Sequence, residues 1–528
     1  MYVHISIDAT DRTIVLAVSI RALHMSCPMI IMNTESKKRI SLGGAIMKRE
    51  LTPEQLAKKT AKEAKELARL QKEKAKSKPA GYIAYLLIIC TFVFLADELC
   101  SNLEGNMKSI LSTIFYQPIF GAEDAVAKMN LFAFIPYYFF MFAFLYKPLA
   151  DRFGRKPFIV INTIGMGLGM VIIGLATNIP VYLIGSIFIT FFTPHDMQSV
   201  YILESSPKER RATFYSVSKA IAAIGVMILP LLRNAFVRGT DPSAWQWRYV
   251  YLIPSLLAFV IAIIALFFLR ETDSYIDMRI KQLTMTPEEK EEAEKNKAAM
   301  KNSRGGLLSG IKYIFKSKQL KWLALTLGII TIGGNIGTNY EPMLTFGYAR
   351  HLLDAGSTLE LAKSTATTEF VNRALILFPL GSALIQFVSG FISDKIGRKK
   401  TAIVVLVTSI AAFLIAYFGA RNVWNVYLVG ILTGVVAGGT VAANDCVNLM
   451  VAESTPTNLR ASTSAAFPII SGMLSLIGIF ACTILQNIFG DIHIGLILLL
   501  MAVPPFTVGL ILLMFKTKET KNVDLEQV

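Results

Sequence analysis

Twelve apolar runs, each near the length of a membrane-crossing helix, alternate with polar stretches along the chain. A hydrocarbon core of about 30 Å needs roughly 20 residues at 1.5 Å rise, so runs of this size predict spanning helices. The first six cover residues 81–103, 129–146, 158–177, 181–203, 213–232 and 249–269. The second six cover 322–340, 370–392, 401–420, 426–451, 465–485 and 494–515. The pattern predicts an all-α polytopic membrane protein, its twelve transmembrane helices forming two six-helix bundles. Gly165 and Gly169, and Gly430, Gly434 and Gly438, recur four residues apart. Small residues at that interval share one face and let helices approach closely in lipid. Pro136 and Pro379 take equivalent places in spans two and eight, where neighbouring helices can accommodate a kink.

Short polar motifs repeat in one order about 240–250 residues apart. Leu149-Ala150-Asp151-Arg152-Phe153-Gly154-Arg155-Lys156 returns as Ile392-Ser393-Asp394-Lys395-Ile396-Gly397-Arg398-Lys399. Glu204-Ser205-Ser206-Pro207, followed by Arg211, returns as Glu453-Ser454-Thr455-Pro456, followed by Arg460. Ser101-Asn102-Leu103-Glu104 returns as Thr338-Asn339-Tyr340-Glu341. A repeat this long is no solenoid, whose period is about 20–50 residues. It predicts a duplicated bundle with pseudo-two-fold symmetry. The expected divisions are a basic N-terminal extension at 1–80, a bundle at 81–270, a linker at 271–320, a bundle at 321–515 and a tail at 516–528.

Composition agrees with the pattern: 53% of the 528 residues are hydrophobic and 17% charged, and mean hydropathy is +0.51. The net charge of +16 is not a nucleic-acid signal, because Lys and Arg sort by membrane side. With 47–79 inside, the inner segments hold roughly three dozen Lys and Arg against about nine outside, so both termini are expected in the cytoplasm. Cys90, Cys100, Cys446 and Cys482 have no spacing suited to a metal or a disulfide framework. No cofactor is expected. The runs 14–20 and 27–32 are too short to span, and the expectation for 1–46 is an untranslated stretch, with the start near Met32 or Met47. Thr52-Pro53-Glu54-Gln55 and Thr286-Pro287-Glu288-Glu289 read as capping boxes opening charged helices.

Charges inside spans cost about 2.5–3.5 kcal/mol or more at the bilayer centre and normally face a cavity. Asp196 and Asp445 each lie eight residues before a motif Glu. His195 and Ser199 form one polar stripe, and Asn444 and Asn448 the equivalent one. Two such stripes suit either a wet cavity between bundles or duplicated structural hydrogen bonds. Span one carries Asp97 and Glu98, with Glu104 expected near its outer face. Lys219 and Arg373 are the cations noted within spans. Asn335, Asn339 and Glu341 complete the candidate cavity set.

The paired loops resemble those between the second and third helices of each half in the major facilitator superfamily. The Glu-x-x-Pro-x-x-x-Arg motifs are similar to those of its sugar-porter and organic-cation branch. So are Trp245-Gln246-Trp247-Arg248, Arg270-Glu271-Thr272 and the terminal Lys518-Glu519-Thr520-Lys521. The resemblance covers residues 81–528 and implies a transporter of the alternating-access kind, not an enzyme. It implies that Asp151, Arg152, Gly154, Arg155, Glu204 and Arg211 form one cytoplasmic gating cluster. Asp394, Gly397, Arg398, Glu453 and Arg460 would form the other. It also places Asp97 close to the proton-binding Asp of proton-coupled sugar porters, with Glu98 and Asp196 as rivals. Two departures matter: Lys147 replaces a usual Gly, and span seven lacks the Gln pair that grips hexoses. The expected function is a proton-coupled symporter of a small polar metabolite, a polyol, sugar-like or cationic solute. The alternatives are a proton-driven efflux antiporter and, from another class, a non-transporting nutrient sensor. Expected partners are that solute, protons and the lipid bilayer, with no nucleic acid, in a monomer of the plasma (inner) membrane.

Overall fold

Apolar side chains dictate the architecture, and the computed structural model realises it almost wholly as helices. It describes residues 2–8, 13–19, 31–32, 53–76, 81–140, 146, 153–193, 197–206, 211–238, 245–286, 289, 307–455 and 457–520. The chain divides into two units, Met1–Ala68 and Arg69–Val528. In the first unit, strands β1 (Tyr2–Asp8), β2 (Thr13–Ser19) and β3 (Ile31–Met32) form an antiparallel sheet in that order. Most of the short run at 14–20 therefore lies in β2, which its β-branched Ile14, Val15 and Val18 favour.

Helix α1 (Pro53–Ala75) starts in the first unit and ends in the second. The first half then runs α2 (Tyr82–Leu111), a π turn (Ser112–Tyr116), α3 (Gln117–Phe120), α4 (Ala125–Phe132) and α5 (Phe134–Phe140). It continues with α6 (Arg155–Gly174), α7 (Ile179–Phe192), α8 (Met197–Ser205), α9 (Arg211–Gly225), α10 (Ile228–Phe236) and α11 (Tyr249–Phe268). After α12 (Asp273–Thr284) and α13 (Leu307–Lys316), the second half comprises α14 (Lys318–Gly337), α15 (Tyr340–Asp354), α16 (Leu359–Thr365), a π turn (Ala366–Val371) and α17 (Asn372–Ile396). It closes with α18 (Arg398–Arg421), α19 (Val426–Glu453), α20 (Thr457–Phe489) and α21 (Ile494–Lys516).

Ten helices among the described residues are long and apolar enough to cross a membrane. Predicted spans two and four are each crossed by residues outside the described set, and their flanking helices, α4 with α5 and α7 with α8, supply the other two. The buried apolar side chains form two cores, one from Tyr82 to Leu269 and one from Ile314 to Leu513 joined by Val126. The first span is longer than predicted: helix runs on from Tyr82 to Phe120. Its far part is polar because it faces protein rather than lipid. Glycines set the tightest contact: a Cβ at Gly430, Gly434 or Gly438 of α19 would meet the backbone of Ala374, Phe378 or Ser382 of α17.

Candidate functional site: paired loop clusters, an opposite interlock and a cavity between

Each half carries the same loop geometry. Gly154 has φ 105°, ψ 161° and Gly397 has φ 104°, ψ 163°, a region essentially closed to residues with a Cβ. Each turn delivers the chain into a helix whose first amides lack intrahelical acceptors. A carboxylate from the following motif fills that role. Arg155 N–H donates to Glu271 Oε1 at 3.0 Å and Lys156 N–H to Oε2 at 3.2 Å. In the second half Arg398 N–H donates to Glu519 Oε1 at 2.9 Å and Lys399 N–H to Oε2 at 3.2 Å. A negative charge there also complements the helix dipole.

The arginine side chains then turn to the second motif. Arg155 Nε and Arg398 Nε each donate to a glutamate Oε1 at 3.2 Å, Glu204 and Glu453 respectively. The other oxygens of those carboxylates accept from Thr272 Oγ1 at 2.6 Å and Thr520 Oγ1 at 2.5 Å. Burial pushes the Glu271 carboxyl above its ordinary range, opposed by the amides of Thr272, Arg155 and Lys156 and by the Arg155 charge. Glu271 and Glu519, with Thr272 and Thr520, stood in quoted motifs but were not assigned to the clusters. The Glu-Thr pairs repeat at an offset of 248 residues, close to the 249 of the motif glutamates, and that was the available signal. Asp151, Arg152, Lys147, His195 and Asp196, and the side chains of Arg211, Asp394 and Arg460, lie outside the described residues.

At the opposite end, the two bundles are joined directly. Arg233 of α10 and Glu341 of α15 form an ion pair at 2.8 Å with both side chains 0% exposed. Arg233 also donates to Asn372 Oδ1 at 2.8 Å and to the Asn106 carbonyl. Glu341 Oε2 accepts the Ser109 N–H at 2.8 Å. Asn106 Nδ2 donates to the Tyr340 hydroxyl at 3.2 Å and Asn372 Nδ2 to the Val237 carbonyl at 2.7 Å. Nearby, Asp491 accepts from the Val126 and Ala127 amides at 2.6 and 2.8 Å. Asn130 donates to Gln486 at 2.6 Å.

Glu341 is thus committed to the interlock and not to the cavity wall, a correction to the sequence expectation. Lys219 and Arg373 are both exposed, whereas Arg233 and Lys363 are buried and Lys108 is half-buried. The predicted boundary at residue 232 stopped one residue short of Arg233. Beside the interlock, and sharing Asn130 and Gln486 with its surroundings, lies a cavity walled by both bundles. Glu104 and Lys108 of α2, Asn130, Phe134 and Tyr137 of the second span, Asn335 and Asn339 of the seventh, and Thr483 and Gln486 of α20 line it. Lys108 Nζ donates to Asn339 Oδ1 at 2.6 Å, and Asn335 Nδ2 to Ser475 Oγ at 2.5 Å. Glu104 lines this cavity.

Asp97 is buried and accepts from Gln198 Nε2 at 3.1 Å. Glu98, one position round the helix, accepts instead from Asn102 of its own helix at 3.4 Å. Asp97, Ser101, Glu104 and Lys108 fall at i, i+4, i+7 and i+11, one continuous face of α2. Ser199, Asn444, Asp445 and Asn448 stand apart from the cavity wall, on α8 and α19. The charge of Lys219 acts on Asp445 across the bundles.

Two duplicated bundles around a polar cavity, fastened at one end and carrying matched charge clusters at the other, define a membrane transporter scaffold rather than an enzyme. The Major Facilitator Superfamily pattern matches residues 87–363 and 355–527, and the chain belongs to that superfamily. It is 24% identical over 408 residues to the putative metabolite transport protein YwtG of Bacillus subtilis, covering 72% of this chain and 81% of that one. It is 25% identical to the glucose transporter GlcP of Staphylococcus epidermidis, covering 53% of this chain and 59% of the relative. A third relative, 26% identical, is the multidrug resistance protein MdtG of Dickeya zeae, covering 58% and 66%. Among solved structures, a D-xylose-proton symporter superposes with TM-score 0.57 at 17% identity, over 83% of this chain and 99% of that one.

Proposed function

We propose that this protein is a proton-coupled symporter of a small polar metabolite, working by rocking its two bundles about the cavity. The observation that carries this reading is the asymmetry between the two ends. The interlock fastens the bundles to each other, while the described contacts of each loop cluster lie within one bundle. With the loop end placed in the cytoplasm, as the charge distribution favours, the interlock closes the outer end. Asp97 is the proposed proton carrier: a buried carboxylate held by the neutral amide of Gln198 can change charge as its hydration changes. Its counterpart in the second half is Gly334, which cannot share that role. The likeness to a glucose transporter and to a putative metabolite transport protein supports uptake of a hydroxylated solute. The likeness to a multidrug resistance protein supports a second reading, proton-driven efflux through the same cycle.

Reconstituted protein tests both. Counterflow of labelled sugars, polyols and amines finds the transported class, and an imposed pH gradient gives the direction. Accumulation with the gradient inward-acid to outward-alkaline would establish exchange against protons. Accumulation only with the opposite gradient would establish symport.

A further inference from the structure

We propose that the cavity recognises a zwitterion, with Glu104 holding its ammonium group and Lys108 its carboxylate. This deepens the transporter reading and rests on it. Glu104 and Lys108 are one helical turn apart on α2, in the order that favours an intrahelical ion pair. They do not close that pair. Lys108 reaches across to Asn339 of the other bundle, at 2.6 Å. Among the described residues Glu104 has no hydrogen-bond or ion-pair partner, yet it is half-buried in the wall of a cavity between bundles. A carboxylate so placed, hydrogen-bonded to nothing among the described residues and with the Lys108 ammonium turned to Asn339, can take a cation from the solute.

The surroundings fit an organic ammonium better than a bare metal ion. Tyr137 and Phe134 line the same cavity, and aromatic faces attract ammonium groups. The remaining polar wall is mostly neutral amide and hydroxyl, from Asn130, Asn335, Thr483 and Gln486. A Lys ammonium has three donors, so Lys108 can keep Asn339 and still bind a carboxylate. One acid and one base give a wall of zero net charge, which disfavours simple cations and simple anions alike. Side chains four apart on a helix are separated by about 5–6 Å, and the two charges of the solute should match that interval.

The test uses the full-length protein in lipid nanodiscs, with thermal unfolding and titration followed by tryptophan fluorescence. The probes are the unbranched amino acids from glycine to 6-aminohexanoate, n-butylamine and inositol. Stabilisation should peak within the amino-acid series and exceed that by butylamine or inositol. Glu104→Gln should weaken binding of the best amino acid and of butylamine by about tenfold or more. Glu104→Asp should restore part of that loss, showing that charge and not folding is at issue. Lys108→Met should weaken the amino acid alone. The proposal is overturned if Glu104→Gln leaves amino-acid binding unchanged, if inositol binds best to wild type and variant alike, or if no probe binds. Counterflow separates the two claims: an inositol counterflow indifferent to Glu104→Gln removes the zwitterion and keeps the transporter. No counterflow by any solute removes the transporter reading itself.

Discussion

Gly397 sits at φ 104°, ψ 163° with the Glu519 carboxylate lying where a Cβ would go. Gly397→Ala should therefore cost about 1–3 kcal/mol in backbone strain, before any displacement of Glu519. Gly154→Ala should behave alike against Glu271. Gly390→Ala, with nothing within 4 Å of its added carbon, is the control and should leave thermal unfolding in detergent unchanged. Equal melting of all three variants would show that the turn tolerates a side chain. Asp97 allows a functional prediction at the same scale. Asp97→Asn mimics the protonated state, so accumulation against a gradient should vanish while exchange of internal for external solute persists. Accumulation that survives under an imposed pH gradient would move the proton to Glu98 or Asp196. These residues were legible in sequence because each is an exception to its setting, a glycine in a charged loop or an acid in an apolar run. Arg233 and Lys108 were not: each sits past a predicted span end, where a charge looks ordinary, and only tertiary packing buries it.

Among the elements, the interlock lies between two π turns. Ser112–Tyr116 begins three residues after Ser109, and Ala366–Val371 directly precedes Asn372. π turns often mark functional sites and locally loosen a helix, so α2 and α17 are built to flex where they meet Arg233 and Glu341. Removing one partner of a buried pair typically costs about 3–5 kcal/mol. Because this pair exists only while that end is closed, the loss should favour the open state. Single cysteines introduced at Thr338 or Asn130 on a background without native cysteines report the change. Glu341→Gln and Arg233→Met should raise their labelling by an impermeant thiol reagent from the end opposite the paired loops by about tenfold or more. Unchanged labelling would assign the pair to folding alone. Hydropathy alone could not reveal this arrangement. It marks which helices exist and where they end, whereas the interlock depends on which side chains face each other across bundles.

For the whole molecule, the paired loop motifs should govern rate and not affinity. Asp151→Asn or Asp394→Asn is expected to slow transport while leaving solute binding within about threefold, a split that initial-rate and binding measurements resolve; abolished binding would place these residues in the site. The duplication made the two-bundle plan readable from sequence, since three motifs recur in one order. The division of labour between the ends was not readable, because of the buried ion pair only Glu341 falls in a repeated motif, opposite Glu104, while Arg233 belongs to none. That asymmetry has a consequence for biogenesis. Arg233 is made 108 residues before Glu341, which at about 5–20 residues per second is roughly 5–20 s of synthesis. Over that interval the first bundle must insert with a guanidinium at depth and only neutral oxygens, the Asn106 carbonyl among them, to hold it. The first half made alone should therefore be short-lived in the membrane and rescued by co-expression of the second half. Glu341→Gln in that second half should weaken the rescue, making one carboxylate a checkpoint for assembly of the two halves.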